Sequence, residues 1–312
     1  MSDIPRLIVP VDITPAMITA CNVDDPQLTG DSPDPAVYSA GTTYASGARV
    51  SVLSDHMIYE SAQAGNVSHD PTTDTTATWW TPVVATNRHR MFDTKSTSST
   101  SRIGGIDLTL NVPQAFNALA LINVVGAQVR VTRTDPTEGV IYDKTFVMQE
   151  PPSEADYYAY FFDPIVYRTL LIVDDLPTYV GADLRVQIIT GEAAVASVGV
   201  LTLGRIKTLG DGVKMGARMG MDDYSKKARN AYGDYTWQVG EFSDKATVDI
   251  TVPRAMVNQV TTLLKSVRAK PLVWILSGYY TGLVIYGPYR DWETAIELYD
   301  YSVINAFIEG LT

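Results

Sequence analysis

Short runs of alternating apolar and polar residues dominate the middle of the chain and predict β-strands. The expected strands are Ile106–Val112, Ala118–Ile122, Ala127–Arg133, Val140–Phe146, Thr169–Val173, Leu184–Ile189 and Val195–Leu203. Turn-forming sequences such as Thr134-Asp135-Pro136 separate these runs. Short strands at such intervals are typical of a β-sandwich or jelly roll, which we predict for residues 85–204.

The pattern becomes mixed over residues 205–312. Thr247–Val252 alternates apolar and polar side chains, as a half-buried strand does. After Pro253, apolar residues recur at three- and four-residue steps and predict one helical face that ends before Pro271: Val257, Val260, Leu264 and Val267. Strands are expected again at Leu272–Leu276 and Leu283–Tyr286, so this part is predicted to be an α+β domain.

The first 84 residues divide into two further segments. Residues 1–35 contain six prolines, which disfavour helices and central strands, and they are expected to form an arm or linker. Residues 36–84 are rich in Tyr, Trp, Gly and Thr and are expected to form a compact β-module. The predicted fold class is therefore mainly β: a small carbohydrate-binding-like β-module, a β-sandwich (jelly roll) and a C-terminal α+β domain.

Composition narrows the possible partners. The chain of 312 residues carries 24 basic and 35 acidic side chains, a net charge of −11, and has no stretch dense in Lys or Arg. Nucleic acid is therefore not expected as a partner. Cys21 is the single cysteine, which excludes an internal disulfide framework. Met1–Pro10 does not resemble a signal peptide, and Ala193–Leu203 is too short to span a membrane, so we expect synthesis in a cytoplasm and release by lysis.

Residues 36–84 carry aromatic residues at regular intervals. The sequence reads Tyr38, then Tyr44 with Gly47 and Val50 at three-residue steps, followed by Tyr59-Glu60-Ser61, Asn66, Pro71 and Trp79-Trp80. This pattern resembles the small chitin-binding type of carbohydrate-binding module. It departs from that family at Tyr38, where the family has Trp, and at Tyr59-Glu60-Ser61.

The resemblance implies a set of carbohydrate-binding residues. Flat aromatic rings stack on the C–H faces of sugars, while neighbouring polar side chains bond the hydroxyls. The implied residues are Tyr38, Tyr44, Tyr59, Glu60, Asn66, Trp79 and Trp80. The alternative is that these aromatics form the core of a small domain. Since adjacent residues on a strand face opposite ways, one of Trp79 and Trp80 could be buried while the other is exposed.

Other motifs give no catalytic, cofactor or metal site. The glycine-rich run Gly210–Gly220 lacks the spacing of a phosphate-binding loop and is expected to be flexible or ordered only on assembly. His56, His69 and His89 occur singly, and Asp24, Asp25, Asp31 and Asp34 lack the spacing of a calcium loop. No paired carboxylates or nucleophile–base arrangement can be identified, so we expect no enzyme activity, no cofactor and no metal.

Two looser resemblances point to an assembly role. Phe116–Val131 with Val195–Gly204 is similar to galactose-binding-like jelly rolls. Asp223-Tyr224-Ser225, Pro271–Ile275 and Ile285-Tyr286-Gly287 resemble segments of phage tail-tip proteins. The C-terminal third also concentrates aromatic residues of the kind found at interfaces: Trp237, Phe242, Trp274, Tyr279, Tyr280, Tyr286, Tyr289 and Trp292.

The sequence therefore predicts a structural component of a bacteriophage (siphovirus-like) tail tip or baseplate with a glycan-binding module for host attachment. Such a protein would be made in the host cytoplasm and reside in the virion tail. Its expected partners are other tail or baseplate proteins, copies of itself in a trimer or hexamer, and a host surface glycan. Two alternatives stay open: a secreted bacterial protein that binds or degrades glycans, and a module that serves only subunit contacts.

Overall fold

The computed structural model describes residues 4–150, 166–229, 233–296 and 299–311. In chain order the first strands are β1 (Arg6–Pro10), β2 (Ile18–Cys21), β3 (Arg49–Val52), β4 (Met57–Ser61), β5 (Trp80–Ala85), β6 (Thr100–Ile103), β7 (Ile106–Asn111), β8 (Ala118–Ile122), β9 (Gln128–Asp135), β10 (Gly139–Val147), β11 (Leu170–Val173) and β12 (Asp183–Ile189). They continue as β13 (Val195–Val198), β14 (Val200–Thr208), β15 (Gly212–Val213), β16 (Arg218–Asp223), β17 (Lys226–Arg229), β18 (Tyr235–Gln238), β19 (Phe242–Pro253), β20 (Leu272–Ile275), β21 (Val284–Gly287), β22 (Tyr289–Ala295) and β23 (Tyr301–Glu309). Helix α1 (Val257–Ser266) and the 3-10 helices Pro15–Met17, Asn87–Phe92 and Thr281–Leu283 complete the described elements. The predicted mainly β fold class is confirmed.

The described residues belong to two compact units. Unit 1 comprises Met1–Val11, Phe116–Ala118 and Leu203–Thr312, and unit 2 comprises Asp12–Ala115 and Leu119–Thr202. The predicted segments 36–84 and most of 85–204 thus fall in unit 2. The chain leaves unit 2 after Thr202 and enters unit 1 at Leu203, within β14. This point is close to the domain boundary predicted at residue 204.

Unit 2 is built from antiparallel sheets whose strands follow the predicted alternation. Its largest sheet has the order β10-β9-β12-β7-β2. Along β7 the buried residues Ile106, Leu108 and Leu110 alternate with half-buried polar ones. Strands β11, β8 and β14 are neighbours in a six-stranded sheet, β6 and β13 form a two-stranded sheet, and β3, β4 and β5 form a three-stranded sheet in the module at residues 36–84. These strands could be predicted from the sequence because their side chains are buried at every second position, which gives an alternating apolar and polar pattern.

Unit 1 packs helix α1 against a set of antiparallel strands. Strand β19 pairs with β23, which pairs with β22, while β15 and β16 pair with the other edge of β19. Three of the apolar residues predicted on one helical face, Val260, Leu264 and Val267, are buried in the core with Trp274, and Val257 packs at its margin. The indole Nε1 of Trp274 donates to the carbonyl of Gly287 at 2.9 Å. The predicted helix is confirmed.

The N-terminal segment contains a central strand, which corrects the prediction of an arm over residues 1–35. Strand β1 pairs antiparallel with β14 on one side and β20 on the other, and Leu7 and Ile8 have no exposed surface. Its prolines do not disrupt it because Pro5 precedes the strand and Pro10 is its last residue. The prediction of an arm was therefore wrong for this segment, because it relied on proline content without regard to where the prolines lie.

Two further predictions need correction. The single strand expected at Val195–Leu203 is divided between β13 and β14 by Gly199, whose N–H donates to the carbonyl of Ile122 at 3.0 Å. A Cβ at Gly199 would lie 2.9 Å from the Cβ of Asn123, so the backbones approach closely where only glycine fits. The run Gly210–Gly220 is not wholly irregular, because it contains β15 and part of β16, both paired with β19.

We predict that Leu7→Ala lowers the free energy of unfolding by about 3 kcal/mol, because it leaves a cavity beside a central strand. Leu28→Ala, in the same N-terminal segment but 57% exposed, should change it by less than about 0.5 kcal/mol. Denaturant unfolding followed by tryptophan fluorescence measures both. Equal small effects would restore the interpretation of residues 1–35 as an arm.

Candidate functional site

Three aromatic rings form the centre of the module at residues 36–84. The rings of Tyr38 and Tyr44 are stacked with centroids 5.9 Å apart and an interplanar angle of 25°. The indole of Trp80 meets both rings edge-on, at 5.8 Å from Tyr38 and 5.2 Å from Tyr44. Aromatic quadrupoles favour stacked and edge-to-face pairs of this kind. Tyr38, Tyr44 and Trp80, which stand out by their spacing in the sequence, therefore form one packed cluster.

Two of the seven residues implied as sugar ligands are fully buried. Trp80 and Asn66 have no exposed surface. The indole Nε1 of Trp80 donates to the carbonyl of His69 at 2.8 Å, and the amide of Asn66 donates to the Ser61 hydroxyl at 3.0 Å. Because neither side chain has surface left for a ligand, the sequence-based assignment of Trp80 and Asn66 is corrected: both stabilise the module.

Tyr44 is also tied into the structure of the module. Its hydroxyl accepts the N–H of Ser39 at 2.9 Å and lies 3.3 Å from the Ser39 carbonyl. The backbone N–H of Tyr44 donates to the carbonyl of Asn66 at 2.8 Å. With its ring against Trp80 and its hydroxyl occupied, Tyr44 positions Tyr38 rather than offering a free binding group.

Trp79 is half-buried and forms a stacked pair at the surface. Its ring lies on the imidazole of His69, with centroids 3.7 Å apart and an interplanar angle of 11°. The carboxylate of Asp74 accepts the backbone N–H groups of Trp79 at 2.6 Å and Trp80 at 2.9 Å. These two hydrogen bonds lower the pKa of Asp74 from its ordinary 3.8 to about 2. Asp74 therefore fixes the backbone that carries both tryptophans.

Tyr59 and Glu60 lie on strand β4, where each already has a partner. The hydroxyl of Tyr59 donates to Asp55 at 2.5 Å, and burial together with this hydrogen bond raises the pKa of Tyr59 to about 12. Glu60 accepts Nε of Arg49 on the neighbouring strand at 2.8 Å. Exposed ion pairs contribute only about 0.2–1 kcal/mol, so Glu60 can exchange this partner for a ligand hydroxyl at little cost.

The remaining candidates for ligand contact are Tyr38, Tyr59, Glu60 and Trp79, all half-buried. Tyr59 lies on the same sheet face as Trp80, because Ser61, two residues along β4, pairs with Trp80. Glu60, next to Tyr59 on β4, lies on the opposite face, so these residues offer separate contacts: ring faces for stacking and a carboxylate for hydrogen bonding. Each contact suits only weak binding of an exposed sugar residue.

Sequence reasoning missed several residues that organise the module. Asp74 and His69 were not identified, although an aspartate shortly before Trp79-Trp80 is a local signal for a side chain that accepts backbone N–H groups. It also missed that Asp25, His56 and His89 come together in unit 2, with one ligand atom from each within 4.8 Å of the others. Their separation along the chain gives no local motif.

A second exposed surface lies in unit 1, on the two-stranded antiparallel sheet of β17 and β18, which we call the aromatic ribbon. All four residues of each strand are exposed, and Trp237 is 67% exposed. The ammonium of Lys227 lies 3.8 Å from the ring centroid of Tyr235. Two-stranded sheets are marginally stable in water by themselves. The ribbon thus presents aromatic surface that this unit does not bury.

The eight C-terminal aromatics singled out in the sequence separate into two groups. The buried or partly buried ones belong to the core of unit 1: Trp274, Tyr286, Tyr289 and Trp292. The exposed ones are Trp237, Phe242, Tyr279 and Tyr280. Half of this set is therefore free to contact another molecule.

None of the helices among the described residues is both long enough and apolar enough to cross a bilayer.

We predict that the stability contributed by Asp74 is lost in acid. Its folded-state pKa is depressed to about 2, so the contribution is complete above its ordinary value of 3.8 and disappears as the pH falls through about 2. Thermal unfolding should show Asp74→Ala melting below the native chain at pH 6, with the difference shrinking as the pH approaches 2. A difference that stays constant over this range would contradict the role given to Asp74.

No protein-family model matches the sequence, and no curated protein matches it. Among solved structures, the chain is similar to chitosan-binding module 1 derived from a chitosanase/glucanase from Paenibacillus sp. IK-5. The similarity covers 37% of this chain and 82% of that chain, at 10% sequence identity and a TM-score of 0.25. At this TM-score the similarity assigns no ligand to the chain.

Proposed function

We propose that the chain is a non-catalytic structural protein that assembles with copies of itself through unit 1 and displays a weak glycan-binding module. The observation that carries the assembly role is the aromatic ribbon, whose two strands are exposed along their whole length. Exposed aromatic side chains are enriched where proteins contact each other, and β18 presents Tyr235 and Trp237 beside the mostly basic strand β17. A second copy of the chain is the simplest partner.

The chemistry around the aromatic ribbon supports an interface. Exposed methionines and aromatics occur in the strands and loops next to it in sequence: Met215, Met219, Met221, Tyr224 and Phe242. Protein interfaces are enriched in aromatic residues and Met and depleted of most charges. Identical subunits usually form closed rings, and a trimer or hexamer would match the axis of a phage tail.

The finer proposal is a tail-tip or baseplate component of a siphovirus-like phage. It rests on the sequence resemblance at residues 223–225, 271–275 and 285–287, on the low fraction of charged residues, 19%, and on the exposed ribbon. In this role the protein is made in the host cytoplasm, resides in the virion tail and contacts other tail or baseplate proteins.

The proposed glycan contacts are Tyr38, Tyr59, Glu60 and Trp79, which lie on both faces of the module's sheet. A single stacked ring contributes on the order of 1 kcal/mol, so one site binds weakly. Repetition of the site around a closed oligomer would raise the overall affinity through effective concentration, without new contacts. Host attachment by such a module therefore depends on the proposed assembly.

A second candidate function makes the module a subunit contact only. The burial of Trp80 and Asn66 favours it, because these residues serve the packing of the module itself. The two candidates differ in what the partly exposed Trp79 touches: a sugar in the first, and a neighbouring protein in the second.

We predict that the purified chain is oligomeric and that the double substitution Tyr235→Ser with Trp237→Ser shifts it towards monomer. Both side chains are exposed, so the folded unit should persist with an unchanged circular dichroism spectrum. Analytical ultracentrifugation measures the shift. Leu28→Ser, an exposed site in unit 2, is the matched control, and identical sedimentation of native chain and double variant would contradict the proposal.

We predict that the full chain is retained weakly on insoluble chitin and releases no soluble sugar from it. Trp79→Ala should weaken retention about fivefold, the equivalent of about 1 kcal/mol. Leu53→Ala, which removes an exposed apolar side chain without a ring from the same module, should not. Retention unchanged by Trp79→Ala would favour the subunit-contact role, and sugar release abolished by replacing one acidic residue would refute the non-catalytic assignment.

A further inference from the structure

Asp25, His56 and His89 form a cluster in unit 2 that is separate from the proposed glycan site. They come from the segment between β2 and β3, the turn between β3 and β4, and the 3-10 helix Asn87–Phe92. Oδ2 of Asp25 lies 2.6 Å from Nδ1 of His56 and 3.3 Å from Nε2 of His89. The two imidazole rings are stacked with centroids 4.0 Å apart. Three potential ligand atoms therefore lie within 4.8 Å of one another.

The carboxylate in this cluster is buried and only partly satisfied. The side chain of Asp25 is 5% exposed, and within the described residues its Oδ1 is buried without a hydrogen-bond partner. Oδ2 of the same carboxylate faces both imidazoles, so a cation held there would offset the burial of the charge.

The cluster is also pre-arranged and accessible. The backbone N–H of Thr86 donates to the carbonyl of His56 at 2.8 Å, which fixes the turn that carries the imidazole. His56 adopts a left-handed conformation with φ of 57°, uncommon for a residue other than glycine. The side chain of His56 is 25% exposed, so an ion can reach the cluster from solvent.

We propose that Asp25, His56 and His89 bind a divalent transition-metal ion of the zinc type. Zinc takes imidazole nitrogen and carboxylate oxygen at about 2.0–2.2 Å, which places tetrahedral ligand atoms about 3.3 Å apart. The separation of Asp25 from His89 already equals this value, and that of Asp25 from His56 needs to widen by about 0.7 Å. Water completes the coordination. The ion joins the segment before the module to the module and to the helix after it.

Metal binding by the full chain tests the proposal. After treatment with a chelator, calorimetric titration with Zn²⁺ should give one equivalent per chain, and the melting temperature should rise because the ion binds the folded state. His56→Gln and His89→Gln should each weaken binding by about tenfold or more. His69→Gln is the matched control, because His69 stacks on Trp79 outside the cluster and its loss should leave Zn²⁺ affinity unchanged.

A second measurement distinguishes a variant that has lost the metal site from one that has failed to fold. Co²⁺ bound to the native chain should give the intense visible absorption of a low-coordinate site, and Zn²⁺ should displace it. His56→Gln removes the most exposed ligand, so a folded variant, checked by circular dichroism, is expected. Failure of the native chain to bind Zn²⁺, or binding that His69→Gln weakens as much as His56→Gln, would overturn the proposal and leave a hydrogen-bonded cluster.

Discussion

The buried carboxylate of Asp34 holds together the two ends of the module. Its side chain has no exposed surface and accepts hydrogen bonds from the backbone N–H of Gln27 at 3.0 Å, from that of Asn87 at 3.1 and 3.0 Å, and from the Arg90 guanidinium at 3.0 Å. A buried carboxylate is stable only where such donors replace water. Since Asp34 precedes the module and Asn87 follows it, residues 36–84 are an integral part of unit 2 rather than a separate domain on a flexible linker.

This polar network joins the segments on either side of the module, whereas the described residues of the aromatic ribbon in unit 1 are exposed along both strands. The side-chain amide of Asn87 donates to Gln27 and to the carbonyl of Ser101, both at 2.8 Å, so Asn87 is bonded to segments before and after the module. Satisfied buried networks of this kind specify one arrangement. The ribbon, by contrast, leaves Tyr235 and Trp237 in solvent. This exposed aromatic surface is the one through which we propose that copies of the chain assemble.

The local pattern of apolar and polar residues predicted the strands and the helix well. It failed where the burial of a residue depends on contacts with residues far away in the sequence. Strand β7 and helix α1 were readable because one face of each is buried with its own period. Strand β1 was missed because its burial depends on pairing with β14 and β20, about 200 and 270 residues further along the chain. In the site, spacing predicted the aromatic cluster but not which rings stay exposed, since packing against Tyr38 and Tyr44 determines that Trp80 faces inward.

The proposed assembly joins copies of the chain through the aromatic ribbon of unit 1. A cryo-electron microscopy reconstruction of the native assembly tests it most directly, because it shows copy number and contacts together. If the ribbon joins the copies, we expect a closed ring in which Tyr235 and Trp237 are buried against a neighbouring copy of the chain. A single copy per particle, or a ring in which both side chains remain in solvent, would contradict it.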